Sequence, residues 1–131
     1  MKHLIISSLI IVFFITCNSL HGEDEIISFI PGTYIAYYEN EFHKTHDTLI
    51  IQENTAAQNV FDITRRYYYT TVIDGRELTP TYKKEAMTAL FDKEHKILTD
   101  QQHGSIISFD LASKTLEKGN REYKKIDSSL K

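Results

Sequence analysis

Two hydrophobic patterns divide this chain. Leu4 to Ile15 is one apolar run broken only by Ser7 and Ser8, after the positive start Met1-Lys2-His3. From Thr33 onward apolar and polar residues alternate instead, and a period of two puts successive side chains on opposite faces of an extended strand. Tyr34, Ala36 and Tyr38 share one face of the first such stretch, and Thr33, Ile35, Tyr37 and Glu39 share the other. Asn40 to His46 reads as a polar connection, Asp47 to Glu53 as a second strand and Asn54 to Asn59 as a second connection. Phe61, Ile63, Arg65, Tyr67, Tyr69, Thr71 and Ile73 then form the core face of a third strand. At roughly 3.3 Å per residue a straight strand from Asn59 to Ile73 spans about 50 Å, about twice what a small domain uses, so a bend or bulge is expected near Arg65 to Tyr67.

Turn chemistry sets the rest of the rhythm. Pro31-Gly32 precedes the first strand. Asp74-Gly75 between β-rich flanks is a strong two-residue hairpin signal and pairs Ile73 with Arg76 and Thr71 with Leu78, while Pro80 ends the returning strand or confines it to an edge. Lys84 to Leu98 reads two ways. As a helix it places Met87, Leu90, Phe91, Glu94 and Leu98 on one face. As a hairpin it alternates Met87, Ala89 and Phe91 inward, turns at Asp92 to His95 and returns through Lys96 to Thr99. The hairpin fits the surrounding spacing of a turn about every 8–12 residues. Strands over Ser105–Phe109, Lys114–Lys118 and Glu122–Ile126 continue that spacing, with turns at His103-Gly104, Asp110–Ser113 and Gly119-Asn120. The expected fold is all-β, an antiparallel meander of about 8–10 short strands. Closure into a lipocalin- or streptavidin-like barrel removes its exposed edges, and an open sandwich is the alternative.

The apolar run at the start is too short for a membrane span, which needs about 20 residues, and fits the 7–15 of a secretory signal. It is followed by Thr16 and by Cys17, the only cysteine in the chain. This placement resembles the lipobox of bacterial lipoproteins, in which signal peptidase II cuts before a cysteine whose thiol receives a diacylglycerol. Phe14 and Thr16 stand where lipoboxes favour Leu and a smaller residue. Cleavage by signal peptidase I after Ser19 or Gly22 is the rival reading, with Cys17 discarded. A lone thiol exported to an oxidising compartment has no disulfide partner, which favours capping by lipid. The expected divisions are a lipoprotein signal peptide over 1–16, a lipidated Cys17 with a tether over 17–30, a barrel-like domain over 31–126 and a polar tail over 127–131. Glu23 to Ser28 also reads as a short helix opening the fold. The address is the cell envelope, membrane-anchored outside the cytoplasm, at a periplasmic face or the cell surface.

Composition narrows the rest. Removing 16 of 131 residues leaves 115, one domain with its own core. With Lys2 gone, 14 basic residues face 18 acidic ones, a net of −4 without a Lys/Arg cluster in the sequence, which argues against a nucleic-acid partner. All eight tyrosines lie beyond Cys17, as suits strands.

Several short runs together carry a family likeness: Pro31 to Tyr34, Glu41-Phe42, Asp47 to Leu49, the pair Arg65-Arg66, Leu78 with Pro80, Thr88-Ala89 before Phe91-Asp92, Ser108 to Asp110, and Arg121 to Ile126. The chain resembles the small lipoproteins encoded in Bacteroidetes conjugative transposons, departing from them at Met87, near which they carry an aromatic, and at His43, where they carry serine. The resemblance implies an envelope lipoprotein associated with conjugation and implies no chemistry.

Candidate chemistry is sparse. Glu39, Glu41, His43, His46 and Asp47 crowd one connection, and His43-x-x-His46 has the residue types of a divalent-metal site. A zinc site needs about four ligands in fixed geometry, so a solvated loop is the better reading and no metal is assigned. No nucleophile elbow, zinc-protease helix or phosphate-cradling glycine loop is present, so neither a catalytic residue nor a cofactor is expected. Arg65 points inward among aromatics, where it must meet a carboxylate, carbonyls or a ligand anion. A structural ion pair is the preferred reading, and Arg65, Tyr67, Tyr69 and Tyr34 are the candidates for ligand binding should the barrel be open at one end. The expected role is a non-catalytic lipoprotein held to the membrane by its lipid and bound to an envelope or conjugation protein. A small-ligand or lipid-binding barrel and a lysozyme-type hydrolase inhibitor are the alternatives.

Overall fold

The computed structural model describes residues 22–126. The expected signal peptide over 1–16, Cys17 and the expected polar tail over 127–131 lie outside the described residues. One helix, α1 (Glu23–Phe29), precedes nine strands: β1 (Gly32–Glu39), β2 (His43–Glu53), β3 (Val60–Ile73), β4 (Arg76–Glu77), β5 (Thr81–Asp92), β6 (Ile97–Asp100), β7 (Ile106–Asp110), β8 (Thr115–Lys118) and β9 (Arg121–Ile126). Every strand pairing is antiparallel. β1 pairs with both β2 and β9, so eight strands close into an up-and-down barrel, and β4 is a two-residue extension paired only with β3. Closure rules out the open sandwich. Residues 84–98 form the hairpin of β5 and β6, and Ile73 pairs with Arg76 while the Leu78 amide donates to the Thr71 carbonyl, 2.9 Å away.

Three details differ from the sequence reading. No bulge interrupts β3 near Arg65 to Tyr67: its register with β2 runs unbroken from Phe61 to Thr71 and with β5 from Val60 to Tyr69. The strand uses its length by coiling obliquely around the barrel, as closure requires. β2 begins at His43 and not at Asp47, because Lys44, Thr45 and His46 have Tyr38, Thr45's partner, and its neighbours on β1 and Thr70 to Tyr68 on β3 to pair with. Polar residues that read as a loop are thus held in the ladder from both sides. Within the expected tether, Glu23–Phe29 is helical. Its first-turn acids Glu23, Asp24 and Glu25 suit the positive end of the helix, and Ile26 and Ile30 are buried. A helix of seven residues is marginal alone, so packing holds it.

Asx caps explain many of the turns. Side-chain oxygens of Asn40, Asn54, Asp92, Asp100 and Asp110 accept backbone amides two residues on, at 2.8–3.0 Å. Asp74 and Gly75 take φ of 49° and 73°, the two positive values of a type I′ turn. Eight strands leave an interior just wide enough for side chains. Leu49, Ile51, Phe61, Ile63, Ala89, Leu98, Ile107 and Leu116 occupy it, and α1 covers one end. The Tyr34 hydroxyl donates to the carbonyls of Phe29 and Ile30 at 3.0 Å each, and the Lys125 ammonium donates to the Phe29 carbonyl. Phe29 and Phe109 stack edge to face 6.2 Å apart at this closed end.

Candidate functional site

The strands β2, β3 and β5 carry charge on both of their faces. Inside, Leu49 pairs with Arg65 and Arg65 with Glu85, and Asp47 sits one diagonal step from Arg65. The Arg65 guanidinium grips Asp47 with two atoms, Nε to Oδ1 at 3.0 Å and Nη2 to Oδ2 at 2.7 Å, and reaches Glu85 at a longer 3.4 Å. The Tyr123 hydroxyl donates to Asp47 Oδ2 at 2.8 Å, and the Tyr67 hydroxyl to Glu85 at 3.3 Å. The guanidinium also lies 4.2 Å from the Tyr67 ring centre. The Asp47 side chain is fully buried and that of Arg65 is 20% exposed, so this is an ion pair screened mainly by protein. Burial opposes the Arg65 charge, yet the hydrogen bonds and charge of Asp47 outweigh it and the guanidinium is held protonated more firmly than in water. Burial, then the negative Asp47, pushes the Tyr123 phenol up, and burial pushes Tyr34 up.

Of the four candidate ligand residues, the structure brings together Arg65 and Tyr67. Tyr69 lies further toward the open end, where its ring meets His43 at 5.7 Å. Tyr34 lies under α1, hydrogen-bonded to the helix end. Arg65 therefore takes its structural reading. Asp47, Glu85 and Tyr123 are the partners that sequence reasoning missed. Asp47 was detectable as a charge in period with Leu49 and Ile51 within the strand. His43 and His46 are three residues apart on a strand and so face opposite sides, which separates them as metal ligands. Among the described residues no group of three or more His, Cys, Asp or Glu is arranged to hold a metal ion.

The outer face holds the second arrangement. Tyr37 pairs with His46, His46 with Tyr68 and Tyr68 with Tyr82, which forms an aromatic row across β1, β2, β3 and β5. Ring centres are 4.7, 4.6 and 5.2 Å apart, close to the strand spacing, and His46 and Tyr68 are stacked 16° from parallel. Tyr37 is 53% and Tyr82 74% exposed. One step toward the closed end, a second row runs Lys124, Ile35, Thr48, Arg66 and Lys84 across β9, β1, β2, β3 and β5. Three cations distant in sequence are thereby collected in one band. Between the rows an open groove of about 420 Å³ is lined by His46, Thr48, Arg66, Tyr68, Tyr82 and Lys84, with Tyr67 and Lys83. Neither Arg66 nor Lys84 makes an ion pair among the described residues. No single strand advertises this site, because it exists only through the register of several.

At the open end the hairpin of β3 and β4 stands past the start of β5, with Ile73 and Leu78 about half exposed. No protein-family model, curated protein or solved structure matches the chain.

Proposed function

We propose that this chain is a non-catalytic lipoprotein of the cell envelope, anchored through Cys17, whose barrel is a rigid body that presents its outer face to another envelope component. The observation that carries the reading is the contrast between inside and outside. The interior is occupied by the chain's own side chains, and the charges of Arg65, Asp47 and Glu85 meet one another there, so recognition falls to the surface. Five residues separate Cys17 from Glu23, a reach over six backbone steps of at most about 22 Å, which would hold the closed, helix-covered end toward the bilayer and the open end away from it. Association with a conjugative element rests on the sequence resemblance, and conjugation genes alongside would support it.

Metabolic labelling with an alkyne-tagged palmitate tests the address. The expected result is a labelled chain in the membrane fraction and loss of both label and membrane retention in Cys17→Ser. An unmodified mature chain beginning at Leu20 or Glu23 would overturn it.

A second reading is favoured by the projecting β3–β4 hairpin, whose exposed Ile73 and Leu78 suit the cleft of a hydrolase. It makes the chain an inhibitor of lysozyme-type enzymes. Inhibition of lysozyme that disappears in Leu78→Asp would support it, and full lysozyme activity at saturating chain would remove it.

A further inference from the structure

We infer that the groove between the aromatic and cationic rows is a binding site for an anionic sugar, a uronate or sugar-phosphate unit of a glycan. This rests on the outer face being the recognition surface, but not on the lipid anchor. Three features meet in that groove, and each answers one part of such a ligand. Arg66 and Lys84 are adjacent in register and unpaired, and the groove lining contains no carboxylate, so a carboxylate or phosphate would be gripped without competition. The hydroxyls of Thr48, Tyr68 and Tyr82 make no hydrogen bond within the protein among the described residues and are free to meet ring hydroxyls. Among the described residues Tyr82 has a ring neighbour only in Tyr68, which leaves its outer face open to the carbon-bearing face of a sugar. The groove's 420 Å³ falls within the range of about 300–1,000 Å³ of small-ligand sites.

The same observations disfavour two other occupants. Single-stranded nucleic acid needs a series of open ring faces, whereas Tyr37, His46 and Tyr68 spend theirs on one another. A wholly apolar ligand would leave Arg66, Lys84 and three hydroxyls without partners.

The test is calorimetric titration of the full chain in mild detergent with an oligogalacturonate, a neutral malto-oligosaccharide and an oligothymidylate. The expected result is saturable binding of the oligogalacturonate that weakens as salt rises, with at least tenfold weaker binding of the other two. Arg66→Ala and Tyr82→Ala are each expected to weaken it about tenfold, and Lys118→Ala, away from the groove, to leave it unchanged. No binding of oligogalacturonate, equal binding of the neutral sugar, equal or tighter binding of the oligothymidylate, or retention in Arg66→Ala would each overturn the assignment. A chain that lacked lipid on Cys17 yet bound the uronate would sink the anchor while leaving this site intact, so the two failures are distinguishable.

Discussion

Arg65 and Arg66 are neighbours in sequence with opposite fates. The period of two turns Arg65 into the barrel, where Asp47 and Glu85 meet it, and Arg66 out to a surface where no acid does. The difference separates two uses of one side chain. A guanidinium whose donors are taken up inside a closed sheet holds strands together, whereas one left free beside exposed tyrosines is available to a partner. The comparison locates recognition on the outside of this barrel.

Removing one member of the inner pair is the harshest way to break it. Arg65→Ala leaves the Asp47 carboxylate buried with Tyr123 as its remaining donor, and is expected to cost about 3 kcal/mol, read as a lower urea midpoint at unchanged slope. Loss of the folded state altogether would agree in sign, whereas an unchanged midpoint would refute the structural role. Tyr34→Phe removes one hydroxyl shared by two carbonyls at the closed end and is expected to cost about 1 kcal/mol, with α1 amides exchanging faster than those of β3. Uniform exchange across both elements would mean that the helix is held by packing alone.

These first two predictions turn on how far the sequence speaks. Alternation from Phe61 to Ile73 and the Asp74-Gly75 turn were readable locally, because face and turn type depend on neighbours in the chain. Asp47 as the partner of Arg65 was not, since it depends on a register between strands that only closure defines. The same holds for Tyr37, His46, Tyr68 and Tyr82, which are unremarkable one at a time. β2 was read short because polar residues held in a ladder on both sides look like a loop, and a bulge was expected in β3 because its length was measured against a flat sheet.

Acid sharpens the comparison at the turns. Burial opposes the Asp100 charge, but the amides of Gln102 and His103 and the His103 ring hold its carboxyl below the ordinary range. A depressed folded value adds stability above the unfolded value of about 3.9. That contribution is lost as pH falls through the folded value, so the wild type should lose stability below about pH 4 more steeply than Asp100→Ala. Parallel acid curves for the two would show that the cap contributes nothing. Arg66→Ala has the smallest expected effect on folding, within about 0.5 kcal/mol, since its side chain supports no other group.

That last variant carries the most direct test. Titrating folded Arg66→Ala with oligogalacturonate should give a wild-type unfolding midpoint together with binding about tenfold weaker than that of the wild type. Binding at wild-type strength would contradict the claim that the outer face, through its unpaired arginine, is where this barrel recognises its partner.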